Sequence, residues 1–229
     1  MIDKKIVHSF LIMNLLKNKY LWIFIIFLLS STARLSSKLY LVGGQDQGTY
    51  ISMAQQYARN HKQYAIDQYR KTLTSEQKEL YDRDGNYIMP SFENWNREGS
   101  EYSMVFYPMH PALLATFGSI FGMDNSVYLL TIFSLLTIVF IYFLAYEITK
   151  NKKAATVTSL LFALNPVHVF MSKYPVGETT ALTFITSGYL FLILYLKSKK
   201  EIKKKIHFLL LSLISFGIFS MTRMTFFIH

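Results

Sequence analysis

The sequence predicts an all-α membrane protein, a polytopic bundle of about five transmembrane helices with interfacial amphipathic helices in a large first outer loop. Three observations predict this class. The 229-residue chain is 52% hydrophobic and 16% aromatic, several apolar stretches approach the length of about 20 residues that crosses a bilayer, and lysines cluster between those stretches. The chain has no cysteine, which excludes disulfide scaffolds, thiolate zinc sites and cysteine nucleophiles.

The apolar stretches define the predicted spans, which are 20–42, 127–146, 154–171, 180–196 and 206–229. The first is not followed by a small-residue cleavage site, so we expect a span and not a signal peptide. The fifth is still apolar where the sequence stops. Because an apolar helix without flanking charges is an unusual natural end, we expect a fragment of a longer protein in preference to a complete short one.

The lysines orient these spans. Thirteen of them fall in three patches, at 1–19, 147–153 and 197–205. Since loops rich in Lys and Arg stay in the cytoplasm, the N-terminus is expected inside, and 43–126 and 172–179 outside. The predicted location is therefore the cell membrane, with several passes and the large loop on the outer face.

The formal net charge of +10 does not predict nucleic-acid binding. Residues 43–124 hold 7 basic and 10 acidic side chains, so the excess positive charge belongs to the membrane part of the chain. A surface that follows phosphates would need its lysines on one face of a soluble domain. We expect a lipid bilayer as partner and no nucleic acid.

Two amphipathic helices are predicted in the outer loop. In the first, apolar residues recur with helical spacing, namely Tyr50, Met53, Ala54, Tyr57 and Ala58. Asp46 precedes this stripe, and a helix cap is its simpler interpretation. In the second, Pro111 suits a first turn and Gly122 a C-terminal end. His110 lies between two prolines, and a lone histidine is more often a structural hydrogen-bonding residue than a metal ligand.

Between these helices, 63–103 is polar and rich in tyrosine. The Asp84-Gly85 pair predicts a turn between short extended runs. The segment is either a lid or acceptor-recognition insert, or a solvated connector, and the connector is slightly favoured.

Several charged residues lie within or beside the spans. Arg34 and Lys38 are one helical turn apart in the first span; they are either functional intramembrane charges or side chains that snorkel to the outer surface. Glu178 and Lys173 lie in the second outer loop, where Glu178 either caps the fourth span or faces the same cavity as Asp46. Arg223 lies at the outer end of the fifth span.

Three features together resemble the N-terminal part of the GT-C membrane glycosyltransferases, the group with protein O-mannosyltransferases and lipid A aminoarabinose transferases. They are Asp46 with Tyr50 four residues later, the Tyr107-Pro108-x-x-Pro111 helix ending in Phe121-Gly122, and the turn that runs from Asn165-Pro166 to Glu178. The resemblance extends from residue 20 to residue 223. Each motif is weak by itself, and their order and spacing make the combination moderately specific.

The resemblance implies transfer of a sugar from a polyprenyl-phosphate carrier to an acceptor glycan, lipid or protein on the outer face, with inversion. It implies Asp46 and Glu178 as catalytic carboxylates, although Gln47 stands where the family often has a second acid. It implies substrate-binding roles for Tyr50, Tyr107, His110, Lys173, Arg223 and Arg34. No cofactor and no metal ligand cluster is expected, and the use of a divalent metal is left open.

The sequence leaves two other functions open. A non-catalytic membrane protein, either a decayed family member or a scaffold for partner helices, is the alternative to the enzyme. Transport is weaker, because no span is broken by paired Gly and Pro signals in a repeated arrangement.

Overall fold

The computed structural model describes residues 19–35, 45–62, 64–83, 92–96, 100–104, 106–198 and 202–223. Most of them are helical, which confirms the predicted all-α class. The helices are α1 Lys19–Leu35, α2 Gln45–Asn60, α3 Gln68–Thr72, α4 Ser75–Arg83, α5 Met109–Phe121, α6 Tyr128–Thr149, α7 Lys152–Ala163, α8 Pro166–Met171, α9 Gly177–Lys197 and α10 Ile202–Thr222. Three short strands accompany them, β1 Tyr64–Ile66, β2 Phe92–Asn96 and β3 Glu101–Met104.

The chain divides into two compact units. Of the described residues, the bundle unit holds 19–35, 130–173, 179–198 and 202–219. The loop unit holds 45–62, 64–83, 92–96, 100–104, 106–129, 174–178 and 220–223.

Three helices within the described ranges are long and apolar enough to cross a membrane, Met123–Thr149, Gly177–Lys197 and Lys205–Thr222. They correspond to the second, fourth and fifth predicted spans. The first predicted span is represented by the shorter apolar helix Leu21–Leu35, since residues 36–44 lie outside the description.

The third predicted span, 154–171, is two helices and not one. Helix α7 ends at Ala163, and α8 begins at Pro166 after Asn165. Asn165 adopts an extended conformation and its side chain accepts a hydrogen bond from the His168 N–H. An Asn cap followed by Pro at the first helical position is a strong start signal, so a new helix begins inside the apolar stretch.

The bundle unit is held together by an apolar core and by small polar residues between helices. Ile26, Ile138 and Tyr142 lie in that core. Thr137 and Thr183 share a hydrogen bond of 2.7 Å between their hydroxyl oxygens, on α6 and α9. Small and hydroxylated residues allow close approach between membrane helices, where apolar side chains gain nothing over lipid.

Replacing Gly188 with alanine is expected to lower the free energy of unfolding by about 1–2 kcal/mol. A β-carbon at Gly188 would lie 2.8 Å from a ring carbon of Phe216, so α9 and α10 would have to move apart. Gly217→Ala is the matched control, since a β-carbon there meets nothing within 4 Å and alanine favours the helix by up to about 1 kcal/mol. Thermal unfolding in detergent compares the two, and equal stability would contradict the close packing.

In the loop unit, α2 packs against α5. The apolar stripe predicted for α2 is confirmed, because Tyr50, Met53 and Ala54 are buried. Leu114 and Ala115 supply the facing surface from α5 and are also buried. Each helix therefore covers much of its apolar face with the other.

Helix α5 has the ends that its sequence predicts. Pro111 lies in its first turn, and the helix stops at Phe121 because Gly122 adopts a φ of 90°, which favours glycine. Gly118 is buried against Met123 in the short 3₁₀ turn Met123–Asn125, where a β-carbon would approach the Met123 sulfur to 2.3 Å.

The insert between α2 and α5 is folded, so its slightly favoured interpretation as a solvated connector is wrong. Strand β3 lies between β1 and β2 and is antiparallel to both. Arg70 is 3% exposed and donates two hydrogen bonds to Asp82, of 2.7 and 2.6 Å. Asp67 caps α3 and accepts a hydrogen bond from the Tyr81 hydroxyl. The predicted turn at Asp84 lies outside the described residues.

Candidate active site

The first turns of α2 present two predicted site residues on one helix face. Asp46 lies in the first turn of α2 and is exposed, where the N-terminal end of the helix dipole favours a negative charge. Tyr50 follows four residues later and is 8% exposed. Because residues i and i+4 are neighbours on a helix, the carboxylate and the phenol lie one turn apart.

Tyr50 is packed on several sides within the loop unit. Its ring centroid lies 4.8 Å from those of both Phe106 and His110, and the His110 ring meets it edge-on. A β-carbon placed on Gly177 would lie 3.4 Å from the Tyr50 hydroxyl oxygen. Gly177 is the first residue of α9, so the hydroxyl lies against the start of that helix.

Glu178 follows Gly177 and forms an ion pair with Arg223, with 2.8 Å between Oε1 and Nη1. The two side chains are 41% and 48% exposed. Exposed pairs of this kind contribute only about 0–1 kcal/mol to stability. Both charged groups are therefore open to solvent and to a ligand, and neither is fixed in a core.

The charges of this region act together on Tyr50. The pKa of Tyr50 is raised to about 12, mainly by burial and also by the Glu178 and Asp46 carboxylates, partly opposed by the Arg223 guanidinium. The predicted residues Asp46, Tyr50, Tyr107, Glu178 and Arg223 are thus within electrostatic range of one hydroxyl. At neutral pH this hydroxyl keeps its proton and can donate a hydrogen bond.

His110 is fully buried, and burial lowers its pKa to about 3. It is therefore neutral at physiological pH and supports the Tyr50 ring. Tyr107, two residues before α5, is partly buried. Over the residues that the structure describes, no group of three or more His, Cys, Asp or Glu side chains could hold a metal ion.

Replacing His110 with phenylalanine is expected to make the free energy of unfolding fall less steeply on acidification than it does in the wild type. The pKa of His110 is about 3 in the folded chain and 6.5 in its ordinary state, so between these values the unfolded chain binds the extra proton. The free energy of unfolding therefore falls as the pH drops from 6.5 towards 3. Phenylalanine keeps an edge-on ring and removes this titration.

Urea unfolding at about pH 7 and about pH 5 measures this slope. His61→Asn is the control, because His61 is exposed with a φ of 54° that asparagine tolerates. This variant should keep the wild-type slope. If the free energy of unfolding of His110→Phe depended on pH as steeply as that of the wild type, His110 would not be the source of this dependence.

Arg34 lies in the bundle unit and is 1% exposed. Its guanidinium donates hydrogen bonds to the Ser134 hydroxyl at 2.7 Å and to the Ser30 and Ala163 carbonyl oxygens, and lies 2.9 Å from His168 Nδ1. The snorkelling alternative is therefore wrong, because the guanidinium is buried inside the protein. The predicted contact of Arg34 with substrate stays a prediction.

Lys173 also belongs to the bundle unit, directly after α8, where it is partly buried. Its backbone N–H donates to the Phe170 carbonyl oxygen. Lys38 lies outside the described residues.

Two contacts were not predicted. In the loop unit, Gly177 allows the start of α9 to approach Tyr50. In the bundle unit, His168 partners Arg34. A signal for the second was present, since a histidine and an arginine at membrane depth require polar partners. Nothing in the sequence around Gly177 distinguishes it from a simple turn glycine.

Residues 116–228 match the family model for dolichyl-phosphate-mannose-protein mannosyltransferases. The matched region contains Lys173, Glu178 and Arg223, and it starts after Asp46 and Tyr50. No curated protein and no solved structure matches the chain. Residues 116–228 thus carry a domain of the mannosyltransferase family, a GT-C family, which confirms the predicted resemblance.

Proposed function

We propose that this chain is part of an integral membrane glycosyltransferase that moves a sugar from a polyprenyl-phosphate donor to an acceptor on the outer face, with inversion. The observation that carries the proposal is that Asp46 lies one helical turn before Tyr50, whose hydroxyl lies against Gly177, next to the ion pair of Glu178 with Arg223. The family match of residues 116–228 supports mannose as the first sugar to test.

In this mechanism the exposed Asp46 carboxylate is the general base. It takes the proton from an acceptor hydroxyl as the hydroxyl oxygen attacks the anomeric carbon from the face opposite the phosphate. The bond between the anomeric carbon and the phosphate oxygen breaks, and its electron pair stays on the phosphate. A phosphate leaves without being protonated, so one base is sufficient, and attack from the opposite face inverts the configuration.

Arg223 is the proposed partner of the donor phosphate. Its guanidinium is half-exposed and bound to Glu178. An incoming phosphate can replace the Glu178 carboxylate, because arginine binds carboxylates and phosphates alike through pairs of hydrogen bonds. Glu178 acts in this proposal by holding Arg223 in position until the phosphate arrives. The Tyr50 hydroxyl supplies a further hydrogen-bond donor for the charge that accumulates in the transition state, and Tyr107 and Lys173 remain proposed substrate contacts.

The membrane context supports a lipid-linked donor. The part of the chain that the structure describes has three helices that can cross a bilayer, by length and composition, and a prenyl tail would lie between such helices. The cytoplasmic N-terminus and the outer position of the loop unit are proposed from the lysine patches, since positively charged loops stay inside.

The test uses membranes that contain the full-length protein and a polyprenyl-phosphate mannose with labelled sugar. We expect label to leave the lipid fraction and enter an acceptor with the opposite anomeric configuration, determined by NMR of the released product. Membranes lacking the protein are the control. Equal loss of label in both preparations would overturn the proposal and favour a non-catalytic membrane protein.

A further inference from the structure

Gln47 is a buried polar residue to which the proposed reaction gives no role. It lies in the first turn of α2, directly after Asp46, and is 2% exposed. Its Oε1 atom is buried and accepts no hydrogen bond from the residues that the structure describes. A buried oxygen without a donor destabilises a folded protein, and native structures hold few of them. A bound group that supplies the missing donor would compensate for the cost of burying this oxygen.

The position of Gln47 connects this oxygen with the proposed site. Residues three apart on a helix are neighbours, so Gln47 lies one turn before Tyr50 on α2. The adjacent Asp46 carboxylate is exposed, whereas Gln47 faces the interior. The Asp46 carboxylate is therefore open to solvent, whereas only a group that enters the protein can reach the Gln47 oxygen.

We propose that Gln47 Oε1 accepts a hydrogen bond from a hydroxyl group of the donor sugar and so positions the anomeric carbon beside Asp46. This inference rests on the proposed function. A sugar hydroxyl supplies the O–H donor that the oxygen lacks. A neutral amide also adds no negative charge to a region that already holds Asp46 and Glu178 and must receive an anionic phosphate.

The experiment compares the wild type with Gln47→Met, which removes the amide and keeps an unbranched side chain of similar length. With labelled polyprenyl-phosphate mannose as probe, we expect KM for the donor to rise about three- to tenfold, the effect of one lost hydrogen bond, while kcat stays within about twofold. In the absence of donor, the variant should unfold about 2–4 °C higher than the wild type, because the unpaired oxygen is gone.

Donors with single deoxymannose sugars identify the hydroxyl. One of them should raise KM for the wild type and have no further effect on Gln47→Met, because the two changes remove the same hydrogen bond. Gln55→Met, at a partly buried position of the same helix, is the control and should respond to every deoxy donor as the wild type does.

The outcomes separate this inference from the proposed function. If the wild type transfers mannose but Gln47→Met has an unchanged KM, or unfolds at a lower temperature, Gln47 does not bind the donor and the inference is overturned. If all deoxy donors affect Gln47→Met and the wild type equally, it is overturned as well. Absence of transfer by the wild type contradicts the proposed function itself.

Discussion

Asp46→Asn is expected to reduce the rate of sugar transfer by at least about 100-fold, the usual contribution of a general base. The amide has the shape of the carboxylate but cannot take the proton from the acceptor hydroxyl. Because Asp46 is exposed, the variant should fold and insert as the wild type does. We expect kcat to fall while KM for the lipid-linked donor changes little.

The same substitution separates catalysis from the simpler role of Asp46 at the helix end. Asparagine serves as well as aspartate near a helix N-terminus, so a purely capping Asp46 predicts wild-type transfer by Asp46→Asn. Glu79→Gln is the matched control, since Glu79 is an exposed acid on α4 in the same unit. Transfer by Asp46→Asn at the rate of this control would exclude Asp46 as the base.

Local features of the fold were readable from the sequence. The burial of Tyr50, Met53 and Ala54 follows from the 3.6-residue period of a helix, and the end of α5 at Gly122 follows from the backbone freedom of glycine. Both depend on residues within a few positions of one another. That is the range over which sequence patterns report directly on structure.

Interactions between residues that are distant in the sequence could not be predicted in this way. Arg223 pairs with Glu178 across 45 positions, and Arg34 meets His168 across 134. Arg34, Glu178 and Arg223 were each predicted to be unusual charges near a membrane, but only the packing of the helices decides which polar groups meet. For Arg34 this packing decided between the two interpretations, because a guanidinium that is buried and hydrogen-bonded does not extend to the membrane surface.

The break between α7 and α8 has a different origin. Asn165 and Pro166 were predicted to begin a turn, yet the third span was also predicted to continue through them to residue 171, because the hydropathy of 154–171 as a whole is high. A window of about 20 residues averages over a helix start inside it. Capping residues within an apolar stretch can therefore indicate a helix start that the hydropathy of the whole stretch does not.

The folded insert leads to the largest stability effect that we expect. Its tyrosines and charges suggested a solvated segment, yet Arg70 and Asp82 form a pair with side chains that are only 4% and 12% exposed. Ser100 also accepts a hydrogen bond from Arg70, at 3.0 Å. Removing one member of such a pair leaves the other charge buried and uncompensated, at a cost of about 3–5 kcal/mol.

Arg70→Met is accordingly expected to unfold the insert under conditions in which the wild type is intact, with faster cleavage of residues 64–104 by protease. Lys71→Met, the neighbouring exposed cation on α3, should change stability by no more than about 0.5 kcal/mol. Combining Arg70→Met with Asp82→Leu should restore at least half of the loss, because the stranded carboxylate is also removed. If Arg70→Met were cleaved no faster than Lys71→Met, the ion pair would not be what holds the insert together, and the strand pairing of β1 and β2 with β3 would have to be sufficient.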